Sequence, residues 1–364
     1  MFKISKINCI NIGLPLIDTI HMSNVTMTKS NSIIIRIQNN YGEIGWGEAA
    51  ASLSMTGESA PGMIAAINFI TENITGKDIE DIEDIYKLIA TSVYGNFAAK
   101  SAIEMALIDL LGINQKKSFY QLIGKKIRHE LPIIWRISGS EKEIQNALEK
   151  RDEGFIAFKI KVGAQDLSYD LKRAENLRKK LGDGIQLTAD ANGGYCPKDA
   201  ITFSKKSHSV GLDYFEQPVA GTDLYTMKHC NKISNIPISA DEGIHTMHDL
   251  HKHYQMKAAE GGSLKLIKFG SITSLIQATK YMEEKKMHIN ISGKAGDSSI
   301  SAAAIGNISM VLPKLDWYSN VSIQYLGDDI IKVPHQIING KLKVTEGYGL
   351  GLTVDEEKLE YYKI

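Results

Sequence analysis

Cysteine is scarce in this sequence: three residues in 364, at positions 9, 196 and 230, are too few and too scattered for a disulfide framework or a zinc-ligand cluster. A reducing compartment is the simplest expectation, and the three cysteines are assigned no role. An excess of one charge is lacking as well. The 42 basic and 42 acidic residues cancel, which leaves no electrostatic footprint for nucleic acid or an anionic membrane surface. No apolar run approaches the ~20 residues needed to cross a bilayer. The opening MFKISKINCINIGLPLI carries lysines and an apolar patch, but Asn8, Asn11 and Pro15 interrupt it and no small-residue cleavage site follows, so it reads as a strand. A cytoplasmic protein with no nucleic-acid and no membrane partner is therefore expected. Internal repeats and low-complexity segments are absent too, and no apolar run leads into a G-x-G-x-x-G, which argues against a dinucleotide-binding sheet.

What is present is ordinary globular material, 43% hydrophobic and 23% charged, enough for one large barrel or two medium domains. Ser32 to Ala50 reads as a hairpin around Asn-Asn-Tyr-Gly. The flanking segments, Asp18 to Ser30 and Ala51 to Gly62, are polar and without period, so two loops are expected beside it. Met63 to Gly112 turns to helical spacing, with Ile103, Ala106, Leu107 and Leu110 on one face. From about Leu131, short apolar runs alternate with amphipathic segments: LPIIWRI, FIAFKIKV, IQLTADA, LDYFEQP, IPISADE, SLKLIKF, MHINIS and LDWYS. Eight strands alternating with helices predict βαβ units closing into an α/β barrel.

Chemistry concentrates at the ends of these runs. In FKIKVG, Lys159 and Lys161 stand two apart on a strand, so both ammonium groups project to one side, where mutual repulsion favours a usable base. A K-x-K alone is as readily a basic edge strand. Downstream, however, Asp190, Glu216 and Asp241 each close a run, roughly 25 residues apart, about one β-plus-α unit. Such a register brings three carboxylates to the carboxyl-terminal mouth of a barrel, where they repel unless a cation sits among them. All-oxygen ligation suits Mg²⁺. One strand on, SLKLIKFGSI supplies Lys265 and Lys268; if alternate residues face inward, Lys265 lies across the barrel from Lys161. A carbon between two such bases can lose a proton on one face and regain it on the other. HTMHDLHKH, with histidines at helical spacing, reads as a solvated helix face. Trp317 and Tyr318 read as core.

KIKVG, the Asp190/Glu216/Asp241 series and KLIKFGSI together resemble the muconate-lactonising subgroup of the enolase superfamily. GEIGWGEAA, AAKSAIEMALIDLLG and EGYGLGLTVDEEKL resemble that superfamily's capping domain, so the likeness spans nearly the whole chain. It implies a (β/α)7β TIM-like barrel, residues 126–325, with an α+β cap built from residues 1–125 and from a C-terminal segment, 326–364, that returns to it. SMTGES, with Thr56 at its centre, resembles the capping loop of dipeptide epimerases. The implied activity is epimerisation of a small-molecule dipeptide of the L-Ala-L-Glu type, with one Mg²⁺ per subunit held by Asp190, Glu216 and Asp241. Lys161 and Lys265 become the acid/base pair, and Lys159 the lysine that stabilises the enolate and binds substrate. A homo-oligomer is implied by the same analogy.

Departures from the family pattern concern the substrate. The strand-eight Asp-x-Asp that holds the dipeptide ammonium has Lys314-Leu315-Asp316 as its expected counterpart, one acid of two. Asp297-Ser298-Ser299 stands for a strand-seven Glu-Ser-Ser, and Arg136 is the candidate for an acidic side chain. Muconate cycloisomerase, o-succinylbenzoate synthase and N-acylamino-acid racemase chemistry are the alternatives within the subgroup. A metal-stabilised binding protein without turnover is the alternative from another class.

Overall fold

Ile33, Ile34, Ile35 and Ile37 are all fully buried, so the strand Ser32–Asn39 needs cover on both faces and both edges. It pairs antiparallel with Ile4–Ile12 on one side and Ile44–Ala50 on the other. In this computed structural model, residues 1–22, 25–137, 139, 142–344 and 346–364 are described. One face of the three-stranded sheet lies on the helix Phe97–Gln115, whose residues from Ala98 to Gly112 are all buried. The periodicity suggested one apolar stripe; the helix is buried all round because the barrel covers its other side. The approach to the sheet is close enough that a Cβ at Gly47 would lie 2.0 Å from the Ala102 carbonyl oxygen. Only glycine fits there.

The segment expected as a first loop is largely a hairpin, Pro15–Met22 against Val25–Lys29. The second loop ends sooner than expected, because Ser59 caps the helix Ala60–Ile74 by accepting from the Gly62 N–H.

Eight parallel strands follow in chain order: Ile134–Ile137, Ala157–Lys161, Gln186–Asp190, Tyr214–Glu216, Ile238–Ala240, Gly261–Leu264, His288–Ser292 and Ser319–Asn320. A parallel bridge between Ile133 and Ser319 closes the ring. Helices join the first seven strands to their successors, and a 3₁₀ turn, Ser322–Tyr325, follows the eighth. The (β/α)7β barrel is thus as expected. Its last strand is short, however. The LDWYS run enters at the amino-terminal end of the barrel, where the Trp317 backbone N–H donates to the Ile289 carbonyl at 3.1 Å and the ring stacks on Tyr214 with ring centroids 3.9 Å apart and on His288 at 4.8 Å. The regular ladder is Ser319–Asn320 against Ile291 and Ser292. Among the described residues no helix is long and apolar enough to cross a membrane, and Cys9, Cys196 and Cys230 are free.

The C-terminal segment is tied in at several points. Ile337–Ile338 and Lys341–Leu342 form a hairpin that pairs with Leu131–Pro132, and Lys363 bridges to Ile12. Asp109, fully inside, accepts from the Leu350 N–H at 2.7 Å and from the Trp46 N–H at 2.8 Å. One carboxylate therefore joins the sheet, the long helix and the tail. A Cβ at Gly349 would lie 2.1 Å from the same carboxylate, at a backbone φ of +59°.

Asp109→Ala removes the acceptor shared by the Trp46 and Leu350 N–H groups and is expected to cost roughly 2–5 kcal/mol of stability, read as a lower midpoint in urea unfolding. A second buried acid gives a pH signature. Glu104 accepts from the Ile272 N–H at 3.2 Å, and burial pushes its carboxyl up to about 8. The fold thus prefers the protonated form, so this contribution to stability is complete below the ordinary carboxylate range and is lost as pH rises through about 8. Melting temperatures from pH 4 to 9 should fall less in Glu104→Gln than in the unaltered chain.

Candidate active site

Lys159 and Lys161 point to the same side of the second barrel strand because side chains alternate along it. The register then sets their partners: Lys161 lies opposite Asp190, and Asp190 opposite Glu216. Lys159 Nζ donates to Glu216 Oε2 at 2.7 Å and stands 3.9 Å from Asp190 Oδ2. Lys161 Nζ donates to Asp190 Oδ2 at 2.5 Å and to Asn192 Oδ1 at 2.8 Å. Across the barrel, Lys265 closes the sixth strand and donates to Asp241 Oδ2. Lys268, one turn later, donates to Asp241 Oδ1 at 2.7 Å and to the Ser263 carbonyl at 3.0 Å. The three acids are 1–2% exposed. Ammonium and carboxylate groups alternate around a cavity of about 70 Å³ at the carboxyl ends of the strands, lined by Lys159, Lys161, Asp190, Glu216, Asp241 and Lys265.

Burial and charge pull against each other in Lys159, Lys265 and the acids. Burial pulls the Lys159 ammonium down, but Glu216, Tyr214 and Asp190 together hold it above its ordinary value. Lys265 likewise ends above its ordinary value, burial being outweighed by Asp241, Glu242 and Glu216. The like-charge depression expected from K-x-K is therefore reversed for Lys159 by the acids interposed. Asp241 is held below the carboxylate range because Lys265 and Lys268 overcome its burial. Glu216 is raised, by burial first.

The donor set matches a hard divalent cation in chemistry: three carboxylates, all oxygen, on three consecutive strand ends that open into one cavity. Among the described residues, no group of three or more acids, histidines or cysteines stands ready as a preformed cage. The reason is visible in the hydrogen bonds, since each carboxylate has turned onto a lysine. The backbone is set for display: Asn192 and Gln217, each within two residues of a carboxylate, have φ of 44° and 40°, an uncommon left-handed conformation that re-aims the chain at the strand end. Gln217 Oε1 takes the Asp241 N–H at 2.8 Å, and Asn192 Nδ2 donates to Glu242 Oε1 at 2.9 Å. These contacts orient the acids from behind.

The substrate-contact expectations divide. Arg136 lines the cavity, its guanidinium 5.0 Å from the Tyr325 ring centroid. Asp316 does not: it accepts from the Ile289 N–H at 3.0 Å and meets His288 Nδ1 at 2.6 Å, at the amino-terminal end of the barrel opposite the cavity. Asp316 precedes the eighth strand and so lies where the run enters the barrel, and the residues presented at the mouth are Asn320 and Ser322. Asp297 is also outside the lining. Its Oδ2 accepts from the Lys294 N–H at 2.7 Å and from Ser301 Oγ at 2.9 Å, at the start of the helix Ser299–Val311. Thr56 turns its hydroxyl to the Ser52 carbonyl, 3.2 Å away, and its neighbour Met55 faces the cavity together with Ile20 of the first hairpin. His253, expected on a solvated helix face, is 1% exposed.

Two lysines went unrecognised as site components. Lys268 was visible as a lysine in an apolar run, but its partner, the Asp241 carboxylate, is 27 residues away. Lys294 follows the seventh strand in SGKAG, lines the cavity, and carries no sequence signal beyond that position.

Two family models match the chain: "Mandelate racemase / muconate lactonizing enzyme, N-terminal domain" over residues 8–124 and "Enolase C-terminal domain-like" over residues 142–358. The chain is 33% identical over 276 residues to the L-Ala-D/L-Glu epimerase of Bacillus subtilis, covering 74% of this chain and 75% of that one. It is 26% identical to the N-succinyl-L-Arg/Lys racemase of Bacillus cereus, covering 98% and 97%. Among solved structures, the muconate lactonizing enzyme of Pseudomonas fluorescens complexed with muconolactone superposes with a TM-score of 0.96 at 27% identity, covering 100% of both chains.

The charge set yields a test that needs no substrate. In divalent-free buffer, Glu216→Leu strands the Lys159 ammonium and should cost about 3–5 kcal/mol. The double variant Lys159→Met/Glu216→Leu should recover most of that loss in chemical denaturation.

Proposed function

The chain belongs to the mandelate racemase / muconate lactonizing enzyme family, in the muconate-lactonising subgroup of the enolase superfamily, and on that premise we propose that it racemises or epimerises the α-carbon of an N-acylated amino acid. A dipeptide is one case of such a compound. The single observation that carries this reading is the placing of two amines, Lys161 after the second strand and Lys265 after the sixth, on opposite sides of one cavity. A reaction that only breaks or forms a bond on one face has no use for the second amine.

Lys161 and Lys265 would act in turn, one taking the α-proton at Nζ and the other, already protonated, returning a proton to the opposite face. Lys159 is 3% exposed and held in its charged form, so it serves as a fixed positive charge toward the substrate carboxylate as negative charge grows there. Mg²⁺ held by Asp190, Glu216 and Asp241 would draw those carboxylates off the lysines and add the electrostatic stabilisation that removal of so weakly acidic a proton requires. Burial of the acids and of Lys159 excludes water from the exchange.

The finer reading, a dipeptide of the L-Ala-L-Glu type, is supported by the likeness to dipeptide epimerases. It loses support from the position of Asp316, since a free ammonium at the far end of a dipeptide would find no carboxylate of the eighth strand to meet it. Cycloisomerisation of a dicarboxylate is the second reading, favoured by the close superposition on a lactonising enzyme.

In D₂O with Mg²⁺, the unaltered chain should wash deuterium into the α-carbon of both enantiomers of a substrate drawn from dipeptides and N-acyl amino acids. Lys161→Ala should retain exchange of only one enantiomer and Lys265→Ala of only the other, each with racemisation reduced at least a thousandfold. Exchange of neither enantiomer across the panel, with turnover of muconate instead, would select the second reading.

A further inference from the structure

Away from the barrel mouth, a cavity of about 360 Å³ lies where the cap meets the barrel. It is walled by the helix Ile82–Ser92, by the first two turns of the helix Phe97–Gln115, and by the stretch 269–274 that follows the sixth strand's lysines. Tyr86, Phe97 and Phe269 give it aromatic walls, and its buried acid is Glu104, 3% exposed. The Glu104 carboxylate accepts from the backbone N–H groups of Ile272 and Thr273. No cation among the described residues stands within ion-pair distance of it.

The other charged groups that face the cavity are engaged elsewhere or add to the negative charge. Lys87 pairs with Asp84 at 2.9 Å, and Lys100 donates to the carbonyls of Ala90 and Val93 at 2.9 and 2.6 Å. Glu83 is a second acid, exposed at the rim, and Tyr86 brings a phenol. The stretch 269–274 brings only the hydroxyls of Ser271, Thr273 and Ser274. A buried carboxylate without a cation is costly, and aromatic faces beside an acid are the chemistry that holds a positive charge carried on an apolar body. The Lys100 ammonium already rests 6.0 Å from the Phe97 ring centroid, so this wall accepts positive charge.

From this we infer that the cavity is a binding site for an organic ammonium, a primary amine on an aromatic or aliphatic body, with its charge on Glu104 and its body against Tyr86, Phe97 and Phe269. An anion meets two acids there and is rejected. The site is separate from the barrel mouth but rests on parts that build it. Gly270 ends the helix Leu266–Phe269, which carries Lys268, and a Cβ on Gly270 would lie 2.7 Å from Phe97 Cδ1. The N–H groups of Ala98 and Ala99, next to Phe97, donate at 2.9 and 3.1 Å to Glu58, in the loop that bears Met55.

Three probes of nearly equal reach separate charge from shape: 2-phenylethylamine, 2-phenylethanol and 3-phenylpropanoate, which end in an ammonium, a hydroxyl and a carboxylate. Excess Mg²⁺ is kept present to compete for the acids of the barrel mouth. Calorimetry at pH 9, where an alkyl amine is still largely protonated, should favour the amine over the alcohol by tenfold or more and show no binding of the carboxylate. Affinity for the amine should rise from pH 6 to pH 9, because burial pushes the Glu104 carboxyl up to about 8 and only its ionised form attracts an ammonium. Glu104→Gln keeps an acceptor for the Ile272 N–H and removes the charge. It should weaken the amine at least tenfold, bring the amine-to-alcohol ratio toward one and abolish the rise with pH. Ala90→Trp fills the exposed side of the cavity and leaves Glu104 in place; it should abolish binding of amine and alcohol alike. Equal affinities for amine and alcohol, no measurable binding of the amine, or an amine affinity unmoved by either substitution would overturn the site.

Discussion

Like and unlike charges buried together at the barrel mouth are the constraint on which this structure turns. Three lysines and three carboxylates lie almost wholly out of water, with Lys161 partly buried beside them, a state that costs several kcal/mol per ion unless each meets an opposite charge at hydrogen-bond distance. The structure meets that condition by alternation: Lys161 with Asp190, Lys159 with Glu216, and Lys265 and Lys268 with Asp241. The same arrangement prepares the chemistry. Lys159 and Lys265, held against carboxylates, lie above their ordinary values, and anything that draws those carboxylates away alters both amines at once. Acid–base chemistry and cation binding are thereby coupled through the same few bonds.

Maintaining that alternation demands a rigid frame, and the barrel supplies it by register. Lys161 faces Asp190, and Asp190 faces Glu216, because parallel strands of equal pitch lie side by side. A one-residue slip would turn both lysines to the outside. The cap contributes differently. Its sheet is locked to the long helix at Gly47, and its helix is locked to the C-terminal segment through Asp109. Met55 and Ile20, carried by the loop and hairpin beside that frame, close the cavity with apolar groups. The charge of the cavity thus comes from strand ends, and the cap supplies the apolar cover. Loop-borne residues are the freer of the two to vary with substrate.

The polarity of the cavity joins structure to specificity. The cavity has a fixed electrical direction, from the acids on one arc to Lys294 and Arg136 on the other.

Local sequence determined a good deal. The barrel strands were legible because β-branched runs alternate with amphipathic helices, and Asp190, Glu216 and Asp241 because a strand end repeats once per β-plus-α unit. Lys159 and Lys161 were legible as a pair because alternation along a strand is a local property. Tertiary structure decided the rest. Which end of the barrel Leu315 to Ser319 occupies was settled by tertiary contacts: the Trp317 ring stacks on Tyr214, about a hundred residues earlier in the chain. Asp316 lies at that end, and Asn320 and Ser322 lie at the mouth. The polar loop at Asp18 became a hairpin through its pairing with Val25–Lys29. The reversal of the expected lysine depression has the same origin. A side chain's ionisation and its partners depend on what comes within a few ångströms, and in a barrel those neighbours arrive from strands 24 or more residues away.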